Sequence, residues 1–125
     1  MFQLKVDAKF SAAHALRGYQ GKCENLHGHN YKVRLTVEGD ALDPIGMVCD
    51  FKKLKLWLKD ALNRLDHQYL NDLESFRETN PSAEVLARSI FRDLAEQIAG
   101  STNGMAILKS VRVWETEGCS ATYML

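Results

Sequence analysis

Phe2-Gln3-Leu4-Lys5-Val6-Asp7-Ala8-Lys9-Phe10 alternates strictly, with Phe2, Leu4, Val6, Ala8 and Phe10 on one parity and Gln3, Lys5, Asp7 and Lys9 on the other. Side chains on a strand point to opposite faces with period 2, so this stretch predicts a half-buried β-strand. Residues 31–38 repeat the pattern: Tyr31, Val33, Leu35 and Val37 face in, Lys32, Arg34, Thr36 and Glu38 face out. The connection from Arg17 to Gly28 is too long for a tight hairpin turn, and structured loops of this length commonly carry function.

Beyond the second strand the period changes. Turn chemistry at Gly39-Asp40 and Asp43-Pro44-Ile45-Gly46 precedes Asp50, which can cap a helix whose apolar residues Phe51, Leu54, Leu58, Ala61, Leu62 and Leu65 recur at helical spacing. A second helix is expected to open at Asn80-Pro81, asparagine as cap and proline at the first helical position, and to run through Leu86, Ile90, Phe91, Leu94 and Ile98 toward Gly100. Two strands follow, at about 106–115 and 119–125. The order ββααββ has no helix between paired strands, so the expected fold class is α+β: a largely antiparallel sheet with both helices on one face. The second face needs cover, and subunits joining their sheets edge to edge would supply it while hiding the strand edges.

A chain of 125 residues is expected to form a single domain over 1–125. Sixteen basic and sixteen acidic residues cancel, which argues against a general electrostatic grip on nucleic acid or an anionic membrane. Lys5, Asp7 and Lys9 interrupt any apolar run near the start, so no targeting or membrane segment is legible there. Cys23, Cys49 and Cys119 are odd in number and widely spaced, which predicts no disulfide framework and a reducing cytoplasm. Cys49 and Cys119 read as small buried or half-buried side chains.

Three of the four histidines flank the first loop: His14 before it, His27 and His29 at its end. Residues two apart on a strand share a face at about 6.6–6.8 Å, and two imidazoles so placed can converge on one ion. His14 shares the inward parity of Phe10, and His27 and His29 that of Tyr31, if both strands extend toward the loop. Gly28 between the two imidazoles would ease the backbone fit. Three imidazoles from neighbouring strands suit a three-nitrogen zinc site; packed core histidines are the plainer alternative. Cys23 is either a fourth ligand, closing a structural zinc module of one cysteine and three histidines, or a free nucleophile or base beside an open metal. Lys22 next to it would favour the thiolate. Asp66-His67 offers a carboxylate–imidazole pair in a loop, where both could equally be solvated. Glu115 places a carboxylate on the apolar parity of Val111 and Val113, a costly position unless it is paired or functional.

Several separate motifs resemble one family. Cys23-Glu24-Asn25-Leu26-His27-Gly28-His29-Asn30-Tyr31 is similar to the metal-and-cysteine signature of the 6-pyruvoyltetrahydropterin and 6-carboxytetrahydropterin synthases. The likeness extends to Phe10-Ser11-Ala12-Ala13-His14, Gly46-Met47-Val48-Cys49-Asp50-Phe51, Leu65-Asp66-His67-Gln68-Tyr69-Leu70-Asn71, Asn80-Pro81-Ser82-Ala83-Glu84 and Trp114-Glu115-Thr116. The resemblance implies the tunnelling fold, in which the sheets of three subunits form a barrel and two trimers stack into a hexamer. It implies Zn2+ on His14, His27 and His29, Cys23 as the proton-abstracting thiolate, His67 and Asp66 assisting it, and Glu115 anchoring the pterin. Ser82 and Ala83 would meet the pterin through backbone groups, in a pocket between subunits. For the triphosphate of the substrate, Lys22 and Arg17 are candidates from loop position. The close spacing of Cys23 and His27 resembles the bacterial 6-carboxytetrahydropterin synthases of queuosine biosynthesis rather than the animal enzymes. Glu24 stands where relatives that make 6-hydroxymethyl-7,8-dihydropterin for folate use glutamate. A bifunctional or folate-directed lyase, and a 6-pyruvoyltetrahydropterin synthase, are the alternatives the resemblance leaves.

Overall fold

The computed structural model describes residues 1–21 and 24–125. Four strands, β1 (Phe2–His14), β2 (His27–Gly39), β3 (Ile107–Thr116) and β4 (Cys119–Met124), form one sheet in that spatial order, every pairing antiparallel. Helices α1 (Phe51–Asn63) and α2 (Ala83–Ser101) lie between β2 and β3 in the chain, separated by two short 3-10 turns at Leu70–Asp72 and Glu74–Phe76. This is the ββααββ arrangement that the alternating and helical periods predict.

The inner face of the sheet buries Val6, Phe10, Ala12 and His14 from β1 and Tyr31, Val33, Leu35 and Val37 from β2. Leu54, Leu58, Ala61 and Leu62 of α1, and Leu86, Ile90, Phe91, Leu94 and Ile98 of α2, close the core over it. Fully burying one such side chain stabilises by about 1.5–3 kcal/mol. From β3, Leu108, Val111 and Val113 are all buried although Leu108 has the opposite parity. The reason is a bulge: Thr36 pairs with Ser110 but Val37 with Leu108, so Lys109 is an extra residue that resets the phase. Gly39 ends β2 where a Cβ would stand 2.5 Å from both Met105 O and Val48 Cγ1, so that position has room only for glycine.

The outer face is polar. Trp114 is flanked there by Lys32, Arg34 and Arg112, at 4.5, 5.2 and 4.3 Å from its ring, and Arg34 grips Asp7 with two hydrogen bonds of 2.7 and 3.0 Å. No part of the described chain is packed over this face.

Four expectations about local structure change. Helix α2 is capped by Ser82, whose hydroxyl accepts from Val85 N at 3.2 Å, not by Asn80. Asn80 and Ser82 are both good cap residues, but Asn80 is committed to the backbone of Arg17 (below). The helix also runs past Gly100 to Ser101 before Gly104, at φ 78, turns the chain. Cys49 is buried as expected, but Cys119 is exposed on edge strand β4. Finally, β1 continues through Ser11-Ala12-Ala13 to His14, where small residues blur the alternation, because partners are present on both sides of it. On one side it pairs with β2; on the other, Ser11 N donates to Asp66 Oδ1 (2.9 Å), His67 N to Ser11 O (2.6 Å) and Ala13 N to Gln68 O (3.0 Å).

Candidate metal centre

Extending β1 and β2 to the loop brings the histidines together. His14 and His27 are directly opposed cross-strand partners, and His29 follows His27 two residues later on the same face. His14, His27, His29 and Glu115 each offer a donor atom, all within 4.8 Å of one another. Glu115 arrives from β3 as the extra residue of a second bulge, since Trp114 pairs with Ser120 but Thr116 with Cys119. Bulges commonly re-aim a side chain beside a site. Gly28 is not sterically required: a Cβ there would meet only Ala12 O, at an ordinary 3.7 Å.

The hydrogen bonds behind the imidazoles fix which nitrogen faces inward. His14 Nδ1 lies 2.8 Å from Pro81 O, and His27 Nδ1 lies 2.8 Å from Asn25 O. A carbonyl only accepts, so each Nδ1 carries the hydrogen and each Nε2 presents a lone pair. Those two Nε2 atoms stand 2.9 Å apart. Glu115 Oε1 lies 3.1 Å from His14 Nε2 and 2.8 Å from His29 Nε2. Despite that proximity His29 Nε2, a buried atom, makes no hydrogen bond of acceptable geometry. Facing lone pairs and a carboxylate oxygen repel one another unless a proton or a cation sits among them, so the donor set fits a soft-to-borderline divalent ion. Ligands bonded at 2.0–2.1 Å in a tetrahedron stand roughly 3.3 Å apart, close to the spacings present.

The electrostatics agree. Burial, reinforced by the neighbouring imidazoles His14 and His27, holds His29 below the usual imidazole pKa against the opposing pull of Glu115, which keeps its lone pair available. Burial, with Glu115 nearby, pushes the Tyr31 phenol well above its ordinary range, so its hydroxyl, 3.2 Å from His14 Nδ1, stays neutral.

Asp66 and His67 lie at the end of α1, alongside β1. His67 adopts φ 58 and is mostly exposed, with Nδ1 3.0 Å from Asp66 Oδ1. The Ser11 N–H bond, assisted by His67, holds the Asp66 carboxyl below the usual carboxylate range. His67 and His29 line the same open depression of about 480 Å3, together with Gly28, Asn30, Gln68 and Tyr69. Of the Asp66–His67 pair and the imidazole cluster, His67 and His29 thus border one space.

The other expected residues are placed as follows. Glu24 is exposed in the loop, its N–H bonded to Gly21 O at 3.2 Å. Ser82 caps α2 and Ala83 is buried at its first turn. Arg17, considered for the triphosphate, spends its guanidinium on Phe76 O (2.9 Å) and Asn71 O (3.3 Å), a structural role. Cys23 and Lys22 fall outside the described residues. Sequence reasoning missed the groups behind the ligands: Pro81 O, Asn25 O and the Tyr31 hydroxyl. It also missed Asn71 and Asn80, whose side-chain amides grip the loop segment that follows His14. Asn71 accepts from Ala15 N (2.9 Å) and donates to Ala15 O (2.8 Å); Asn80 does the same to Arg17 N and O, both at 2.9 Å. Backbone carbonyls carry no residue-type signature; a buried Asn71 next to the Asp66-His67 pair was the one available signal.

The chain is an antiparallel four-stranded sheet with two helices on one face and three imidazoles at one end of it, and comparison with known proteins gives its family. Residues 3–125 match the model of the family described as 6-pyruvoyl tetrahydropterin synthase. The chain belongs to that family, which is one of lyases. It is 39% identical to the 6-carboxy-5,6,7,8-tetrahydropterin synthase of Synechocystis sp., covering 98% of this chain and 93% of that protein. It is 33% identical to the protein of the same name from Haemophilus influenzae, covering 93% and 94%. Among solved structures, Caenorhabditis elegans 6-pyruvoyl tetrahydropterin synthase superposes with a TM-score of 0.85 at 31% identity, covering 99% of this chain and 95% of that one.

Proposed function

We propose that the chain converts 7,8-dihydroneopterin triphosphate to 6-carboxy-5,6,7,8-tetrahydropterin with release of acetaldehyde and triphosphate, using zinc held by His14, His27 and His29. The observation that carries this is the pair of tautomer-fixed Nε2 lone pairs 2.9 Å apart, with the unbonded His29 Nε2 beside them. The relatives' names favour this product over pyruvoyltetrahydropterin. When bound, zinc supplies Lewis-acid polarisation of the substrate's side-chain hydroxyls.

The chain's own residues do the rest. The Cys23 thiolate takes the carbon-bound proton next to the polarised hydroxyl. His67, with its Nδ1 on Asp66, holds or returns a proton from the depression it shares with His29. Glu115 accepts two parallel hydrogen bonds from the guanidine-like edge of the pterin. Its contact with His14 and His29 favours a second role as counter-charge to the metal. Ser82 and Ala83 meet the pterin through the backbone, and Lys22 meets the triphosphate. No external oxidant or reductant is needed, because the side chain supplies the reducing equivalents for the ring. The polar outer face, the edge of β4 and the edge of β1 before Ser11 support sheets joined into a trimeric barrel, two trimers making a hexamer. The product serves queuosine biosynthesis in a reducing cytoplasm. No helix of the described chain is long and apolar enough to cross a membrane, and no nucleic-acid partner is part of this reading.

The test is product analysis by mass spectrometry with zinc-loaded protein and 7,8-dihydroneopterin triphosphate, alongside Cys23→Ala. Carboxytetrahydropterin and acetaldehyde from the parent, with zinc retained but turnover lost in the variant, is the expected result. Hydroxymethyldihydropterin would move the chemistry to Glu24 and the folate-directed alternative. An inert protein whose zinc is lost with Cys23 would leave a structural zinc module of one cysteine and three histidines.

A further inference from the structure

We infer that Asn80 is a positioning residue for the metal centre: by clamping the backbone of Arg17 it holds the Pro81 carbonyl against His14 and thereby selects the His14 tautomer that leaves Nε2 free. The need for selection is visible in the surroundings of His14 Nδ1. Two groups compete for it, Pro81 O at 2.8 Å and the Tyr31 hydroxyl at 3.2 Å. The hydroxyl tolerates either tautomer, since it can donate to a bare Nδ1 or accept from Nδ1–H. Of these two only the carbonyl discriminates, because against a bare Nδ1 it would set two lone pairs face to face, and it has to outweigh Glu115 Oε1, 3.1 Å from Nε2, which favours a hydrogen on that side. Without it, Tyr31 can donate to Nδ1 and send the ring hydrogen to Nε2, the atom that faces His27 and Glu115.

Pro81 cannot hold that position by its own hydrogen bonding, having no N–H. Its two neighbours are fixed instead. Asn80 bonds both Arg17 N and Arg17 O at 2.9 Å, and its own carbonyl accepts from Ser82 N at 2.9 Å across the proline. Arg17 lies three residues past His14 in the loop leaving β1, so the clamp ties the α2 entrance to the segment that follows the ligand. Partners that orient a ligand commonly change metal affinity 10–100-fold when removed.

Only the affinity arm of the test rests on the proposed metal reading; the tautomer arm does not. Ring-nitrogen NMR of the metal-free full chain, at a pH where the imidazoles are neutral, reports whether Nδ1 or Nε2 of His14 carries the hydrogen. Zinc affinity is measured by competition with a chromophoric chelator. Expected are Nδ1–H in the parent and in Tyr31→Phe, and a shift toward Nε2–H in Asn80→Ala with zinc bound about 10–100-fold more weakly. Asn80→Asp keeps the acceptor for Arg17 N but loses the donor to Arg17 O, and is expected in between; it is read instead if the alanine variant does not fold. An unchanged tautomer in the Asn80 variants overturns the inference, even if affinity falls. A tautomer that switches in Tyr31→Phe overturns it as well. Failure of the parent to bind zinc refutes the metal reading alone, since the tautomer result still decides this one.

Discussion

Replacing Asn71 by alanine should destabilise the fold by about 2–3 kcal/mol. The side chain is 7% exposed and makes a reciprocal pair of bonds with Ala15 N and O, at 2.9 and 2.8 Å. Truncation orphans one backbone donor and one acceptor, each costing about 1–3 kcal/mol when water cannot replace the partner. Ala15 is half-buried, so water reaches the pair in part and only the lowest part of the summed range, about 2–3 kcal/mol, applies. For a 125-residue domain the unfolding entropy is roughly 0.26 kcal/mol/K, so the melting temperature should fall by about 8–12 °C. Asn71→Asp separates the two bonds: it still accepts from Ala15 N but faces Ala15 O with a second acceptor, and should recover less than half of the loss. Calorimetry and urea midpoints on metal-free protein give both numbers. A loss below about 0.5 kcal/mol for the alanine variant, or an aspartate variant as stable as the parent, would refute the claim that the amide clamp holds the exit of β1.

Two further outcomes follow from other parts of the fold. Gly39→Ala should cost about 1–3 kcal/mol, because its Cβ would overlap Met105 O and Val48, whereas Gly28→Ala should fold normally; equal melting temperatures for the two would contradict the packing at the end of β2. The Asp7 carboxyl is held below its usual range by Arg34, so the stabilisation from that pair is complete above the unfolded value near 3.9 and is lost as pH falls through the lower folded value. Asp7→Asn should therefore differ from the parent most at neutral pH and converge with it in acid; a gap in thermal stability that widens on acidification would count against the assignment.

The strands are legible because their apolar residues alternate, and the site because three of four histidines share inward parity once β1 and β2 extend to the loop. Elsewhere the sequence is ambiguous for physical reasons. Asn80-Pro81-Ser82 contains two competent caps, and only the tertiary bond from Asn80 to Arg17 decides between them. The bulge at Lys109 inverts the parity of Leu108, which no local pattern announces. Glu115 stands out by its apolar parity, yet its closeness to the imidazoles depends on the second bulge. Arg17 reads as an anion ligand because loop cations usually are free; here carbonyls of the 3-10 turns occupy it. The orienting carbonyls of Pro81 and Asn25 are invisible to any reading of residue types.

The direct opposition of His14 and His27 makes metal capture a check on strand alignment. A slip of one residue between β1 and β2 would turn one set of imidazoles to the far side of the sheet, and a slip of two would keep the faces but move His14 from opposite His27 to opposite Asn25 or His29. Both errors are invisible to measures of overall strand content, and both would disturb the donor arrangement of His14, His27, His29 and Glu115. On the proposed zinc reading, retention of zinc through a desalting column would separate correctly aligned molecules from misaligned ones in a refolded preparation, independently of any substrate.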